Sequence, residues 1–66
     1  MSGSTFFYYN GKREAGFDRD NSPENASRKA QYFGQYVQWV PPNWTQSRWF
    51  DPNGNEIDAP PFEVTT

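Results

Sequence analysis

Histidine, cysteine and leucine are all missing from this chain. Without cysteine there is no disulfide framework and no thiolate metal site. Without histidine the commonest general base and the commonest metal ligand are gone. Without leucine the larger aliphatics reduce to Val37, Val40, Ile57 and Val64. No apolar run approaches the roughly 18 residues that a membrane span needs. The first residues, Met1-Ser2-Gly3-Ser4-Thr5, hold neither a basic region nor an apolar stretch, so the expectation is a cytoplasmic chain with no leader. On that expectation the glycosylation sequons Asn25-Ala26-Ser27 and Asn43-Trp44-Thr45 are read as chance. Sixty-six residues make one small domain, which buries only roughly 60% of its unfolded surface. A deep active site has little room in it. Residues 1–5 and 59–66 are expected as flexible or extended tails.

Aromatic side chains fill the gap that leucine leaves: three Trp, four Tyr and six Phe make 20% of the chain. Each can bury about 150–250 Å², so the core has to be aromatic. A domain this small does not easily cover them all. A small aromatic core together with an aromatic contact surface would use every one of them.

Along the chain, Phe6-Phe7-Tyr8-Tyr9 has the residue types of a strand. Asn10-Gly11 supplies the positive-φ positions of a type I′ turn, and Lys12 to Phe17 reads as the return strand. Ser22-Pro23-Glu24 is a helix start: a capping hydroxyl, a proline at the first helical position, an acid at the positive end of the dipole. Ala26, Ala30, Phe33, Val37 and Val40 recur at helical spacing, Tyr32 and Tyr36 widen that stripe, and Pro41-Pro42 ends it. The spacing therefore predicts a helix running to about Val40, with Phe33 in the core. Within it Gly34 would cost about 1 kcal/mol against alanine, a cost consistent with a close approach to the sheet. Trp44 to Phe50 reads as a third strand, with Trp44, Gln46, Arg48 and Phe50 on one face and Thr45, Ser47 and Trp49 on the other. Asp51-Pro52-Asn53-Gly54 is a turn, and Asn55 to Ile57 a short fourth strand. Phe62-Glu63-Val64 either packs back on the core or forms an extended tail. The fold class is α+β: an N-terminal β-hairpin, one α-helix, then one or two strands, in a small antiparallel sheet with the helix packed on one face.

Catalytic chemistry is hard to find. Asp18 and Asp20 flank Arg19 in what reads as a solvated loop, and Asp51, Asn53 and Asn55 lack the following acid that a calcium cage needs. There is no glycine-rich phosphate loop, and no serine or threonine has a base to activate it. The expectation is no enzyme, no cofactor, no metal and no small-molecule substrate. Eight acids against six bases leave a net charge of −2, which argues against a nucleic-acid partner. Single-strand binding by aromatic stacking, and carbohydrate binding through Trp39, Trp44 and Trp49, are further alternatives.

The segment Gln38-Trp39-Val40-Pro41-Pro42-Asn43-Trp44-Thr45-Gln46-Ser47-Arg48 resembles the helix-end and last-strand region of the small RNA polymerase inhibitors of short-tailed bacteriophages. Similar length, acidic balance and a hairpin–helix–strand order extend the resemblance over roughly residues 6 to 50. It implies a non-enzymatic domain that binds host RNA polymerase in the bacterial cytoplasm. The matching position for the family's polymerase-contacting arginine is Arg48. A second family arginine falls at Phe50, and the family's strongly acidic helix is replaced by one with Glu24 beside Arg28 and Lys29. A virion or assembly protein is the alternative role. Arg48 reads either as one half of a surface ion pair with Asp51 or Glu56 or as a binding hot spot framed by exposed aromatics. The partner-binding set is then Arg48, Trp44, Phe50, Trp49, Asp51 and Glu56.

Overall fold

The helix opens where the sequence places its cap. Ser22 sits in extended geometry, and its Oγ accepts a hydrogen bond from the Asn25 N–H at 3.2 Å, with Pro23 in the first turn. In the computed structural model, which describes residues 5–9, 13–16, 22–42 and 46–63, α1 spans Pro23–Phe33. It therefore stops well short of Val40. Gly34 takes the left-handed conformation (φ 65°, ψ 35°), and its N–H bonds the Ala30 carbonyl. The Gln35 N–H bonds the same carbonyl at 3.2 Å. Left-handed backbone costs a residue with a Cβ roughly 1–2 kcal/mol and glycine almost nothing. Gly34 is thus the helix stop, and no atom lies close enough to it to make it a packing notch.

Beyond the glycine the chain runs as a strand. The run Tyr36–Val40 forms β3, joining β1 (Thr5–Tyr9), β2 (Arg13–Gly16), β4 (Arg48–Phe50) and β5 (Glu56–Ile57). The order across the sheet is β2-β1-β3-β4-β5, antiparallel throughout. The class is thus α+β, with one helix against a five-stranded antiparallel sheet. The Asn10-Gly11 turn and Trp44 lie outside the described residues. β4 is shorter than the expected third strand, and β5 has two residues, with Pro60-Pro61 close behind it.

Strand alternation divides the core in two. On the helix side Phe6, Val37 and Phe50 pack with Ala26 and Ala30, and Tyr8 and Trp39 border them. On the other side Phe7, Tyr9, Val40 and Trp49 form a second cluster, bordered by Tyr36 and Ile57. Val37 and Val40, which helical spacing puts on one stripe, therefore belong to opposite clusters. Phe62 does pack back: its ring lies 5.2 Å from Tyr36, 6.1 Å from Tyr9 and 6.3 Å from Trp49. Phe33, expected in the core, is 48% exposed, and Tyr32 is 84% exposed. Both exposures result from the early stop. The helix buries only its two alanines, and at its end Phe33 rests edge-on against Tyr8 at 5.3 Å rather than entering the core.

Phe6→Ala should therefore cost about 3–5 kcal/mol and leave the domain largely unfolded. Phe33→Ala should cost only about 1 kcal/mol, the size of one aromatic pair. Denaturant titrations of the two variants check this, and equal losses would mean that Phe33 is core after all.

Candidate interaction surface

The outer side of α1 carries Glu24, Arg28, Gln31 and Tyr32, all exposed. Glu24, Arg28 and Tyr32 stand four residues apart and so share one stripe. Tyr32 and Phe33 meet edge to face, ring centroids 4.9 Å apart. At the N-terminal end the stripe runs into an open groove of about 350 Å³ lined by Pro23, Glu24, Ser27, Arg28, Arg48 and Phe50. The surface thus runs continuously from Arg48 through Arg28 to the Tyr32–Phe33 pair.

Two side chains of α1 hold one wall of this surface in place. Ser27 Oγ donates to the Gly54 carbonyl, and Gln31 Nε2 donates to the Asn53 carbonyl at 2.8 Å. The loop they grip is the expected turn. The Gly54 N–H bonds the Asp51 carbonyl at 2.8 Å, and Gly54 has φ 89°. Asp51 Oδ1 accepts from the backbone N–H groups of Asn53 and Asn55 at 3.0 and 2.9 Å. This is an Asx-type use of the side chain. Asp51 Oδ1 is therefore occupied in shaping the turn. A Cβ on Gly54 would push the Gln31 side chain aside and with it the Gln31–Asn53 hydrogen bond, and φ 89° itself favours glycine there.

Arg48 stands on the helix-side face of β4, opposite Trp39 in the register. Its guanidinium forks onto the Glu56 carboxylate: Nε donates to Oε2 at 2.9 Å and Nη2 donates to Oε1. Those hydrogen bonds hold the Glu56 carboxyl below the usual glutamate range and push Arg48 above its own, and the attraction of opposite charges adds to both shifts against a desolvation penalty. Of the two acids offered from the sequence, Glu56 is the partner. The guanidinium also lies 5.9 Å from the Phe50 ring centroid. Among the described residues neither Glu24 nor Arg28 has an ion-pair partner.

The frame of exposed aromatics expected around Arg48 is different in the fold. Phe50 is 4% exposed and serves as the groove's floor; Trp49 is 8% exposed and points to the other face of the sheet. Neither stands out as an exposed ring beside Arg48, because each is packed into one of the two core clusters. Trp44 lies outside the described residues. The exposed aromatics are instead Tyr32 and Phe33, which helical periodicity assigns to the buried stripe. The signal that finds them is Gly34 with a strand-type run directly after it. Among the described residues no three acidic, histidine or cysteine side chains gather where they could hold a metal ion. Among them, too, no helix is long and apolar enough to cross a membrane. No protein-family model matches the chain, and no curated protein or solved structure matches it either.

Because folding depresses the Glu56 pKa, the pair stabilises the fold above the unfolded-state value, and that contribution is lost as pH falls through the depressed one. NMR titration should give Glu56 a midpoint below the ordinary glutamate range and return it toward that range in Arg48→Ala. The melting temperatures of wild type and Glu56→Gln should converge in acid. An unmoved midpoint in Arg48→Ala would show that the fork does not persist in solution.

Proposed function

We propose that this chain is a non-enzymatic protein-binding domain that acts by occupying a surface on a larger protein. The observation that carries the reading is the exposure of Tyr32 and Phe33 together, at 84% and 48%. The other described aromatics are buried or partly covered, apart from Phe62, which rests on a ring cluster. Large aromatics left in water next to arginine have the composition of binding hot spots. Arg28 lies one helical turn from Tyr32 and has no ion-pair partner among the described residues. Arg48 reaches the same surface already oriented: Glu56 takes its Nε–H and one Nη2 hydrogen and leaves the Nη1 hydrogens for an acceptor on the partner. A pre-set fork loses less freedom on binding than a mobile one. The groove is open, which suits a protein surface better than an enclosed small molecule.

The likeness of Gln38–Arg48 to the phage inhibitors makes bacterial RNA polymerase the first partner to test, in the host cytoplasm. Under this reading the aromatic pair at the end of α1 anchors the contact. Blocking comes from steric occupation, since the helix lacks the acidic run that could stand in for DNA.

Purified bacterial RNA polymerase should bind the labelled chain and lose activity on a promoter template. The double variant Tyr32→Ala/Phe33→Ala and the single variant Arg48→Ala should each weaken binding at least about tenfold. The melting temperature of Arg48→Ala should fall no further than that of Glu56→Gln, which loses the same exposed pair. Binding by the variants equal to wild type would place the contact elsewhere. Capture of virion proteins with no affinity for polymerase would move the function to assembly.

A further inference from the structure

The turn between β4 and β5 contains Asn53-Gly54, one of two asparagine–glycine pairs in the chain. The other, Asn10-Gly11, lies outside the described residues. Asparagine is among the chemically labile side chains. A following glycine makes it more so, because no Cβ shields the glycine nitrogen. Asn53 is exposed to water.

Against that reactivity stands a complete set of backbone hydrogen bonds. The Asn53 N–H donates to Asp51 Oδ1 at 3.0 Å, and the Gly54 N–H donates to the Asp51 carbonyl at 2.8 Å. The Asn53 carbonyl accepts from Gln31 Nε2 at 2.8 Å, and the Gly54 carbonyl accepts from Ser27 Oγ. All four backbone polar groups of the pair are thus engaged, two within the turn and two by α1. Water can satisfy the carbonyls of a surface turn, so a double grip from a helix on this one dipeptide goes beyond what hydrogen-bond satisfaction requires.

We propose that Asn53 is a self-modification site, and that Ser27 and Gln31 hold its reaction off. The chemistry needs only water. The Gly54 nitrogen attacks Asn53 Cγ, and the new N–Cγ bond closes a five-membered succinimide. The Cγ–Nδ2 bond breaks, and ammonia leaves with the proton that the Gly54 amide gives up. Water then opens the ring. Breakage of the N–Cγ bond yields aspartate on the original main chain. Breakage of the bond between the Gly54 nitrogen and the α-carbonyl carbon yields isoaspartate, in which the main chain runs through the side chain and gains a methylene.

In the fold the Gly54 amide proton is committed to the Asp51 carbonyl, and the peptide groups on either side of Gly54 are pinned to α1. Ring closure needs the first of these groups free to move toward Cγ. The reaction therefore runs from a locally released turn, at a rate set by how often α1 lets go. In isoaspartate the carbonyl that Gln31 holds has left the main chain and become part of a free carboxylate. The lengthened turn no longer matches both grips, so the wall beside α1 changes with the age of the molecule.

Full-length wild type, Ser27→Ala and Gln31→Ala are held at mildly alkaline pH, and acid formed at residue 53 is followed over time by peptide mass spectrometry. A capped hexapeptide of residues 51–56, Asp-Pro-Asn-Gly-Asn-Glu, gives the unguarded rate. Wild type should react at least about tenfold more slowly than the peptide. Each variant loses one hydrogen bond to the turn, which should raise its rate about two- to tenfold over wild type. Phe33→Ala is the control: its ring contacts are Tyr8 and Tyr32, so it weakens the domain without touching the turn, and its rate at Asn53 should match wild type. Wild type reacting as fast as the peptide, or variants no faster than wild type, would overturn the inference. Equal acceleration in Phe33→Ala would also overturn it, because the route would then be unfolding of the whole domain.

Discussion

Gly34 turns the chain from helix to strand with a single left-handed residue, and the arrangement of the sheet depends on that turn. It brings β3 back beside β1, so that Phe6 pairs with Trp39 and Tyr8 with Val37. β3 in turn offers its far edge to β4. The sheet is therefore centred on a segment that a longer helix would have consumed. The same turn ends α1 after its two buried alanines and leaves Tyr32 and Phe33 at its tip. Core and candidate surface thus share one origin.

A chain without leucine has to solve its packing with rings, and here it does so twice. The helix covers one face of the sheet through alanines, which are small enough to let Phe6 and Phe50 fill the space between. No second helix is available for the opposite face among the described residues. Phe62 arrives there from the end of the chain and closes over Tyr9, Tyr36 and Trp49. Buried rings on both sides leave strand residues with fewer free faces than their alternation suggests. That is why Trp49 and Phe50, adjacent and oppositely directed, are both covered.

Much of this was legible from local chemistry. Ser22-Pro23 marks the helix start and Asp51-Pro52-Asn53-Gly54 the turn, because caps and turns are decided by a few neighbouring residues. The Arg48–Glu56 pair was one of two pairings open in the sequence. The helix end was not legible from periodicity. Phe33, Val37 and Val40 satisfy helical spacing, while Tyr36 to Val40 also satisfies the alternation of a strand with both faces buried. Only the left-handed preference of Gly34 separates the two. The exposed aromatics were misplaced by the same ambiguity. The turn-closing hydrogen bonds of Asp51 were hidden for another reason: a carboxylate that closes its own turn has the same sequence signature as one that faces a partner.

The two margins of the sheet are unlike each other, and this bears on how the protein behaves when crowded. β5 offers two residues, and the chain soon reaches Pro60 and Pro61, which have no N–H to donate. That margin gives a stray extended chain almost nothing to copy. β2, at the other margin, is four residues long and carries the exposed charge of Glu14, a side chain of the kind that discourages edge-to-edge growth. An aromatic-rich sheet is an obvious seed for amyloid-like stacking. Here brevity and proline at one margin and charge at the other work against it, and the chain can keep rings on its surface with less risk of self-templating.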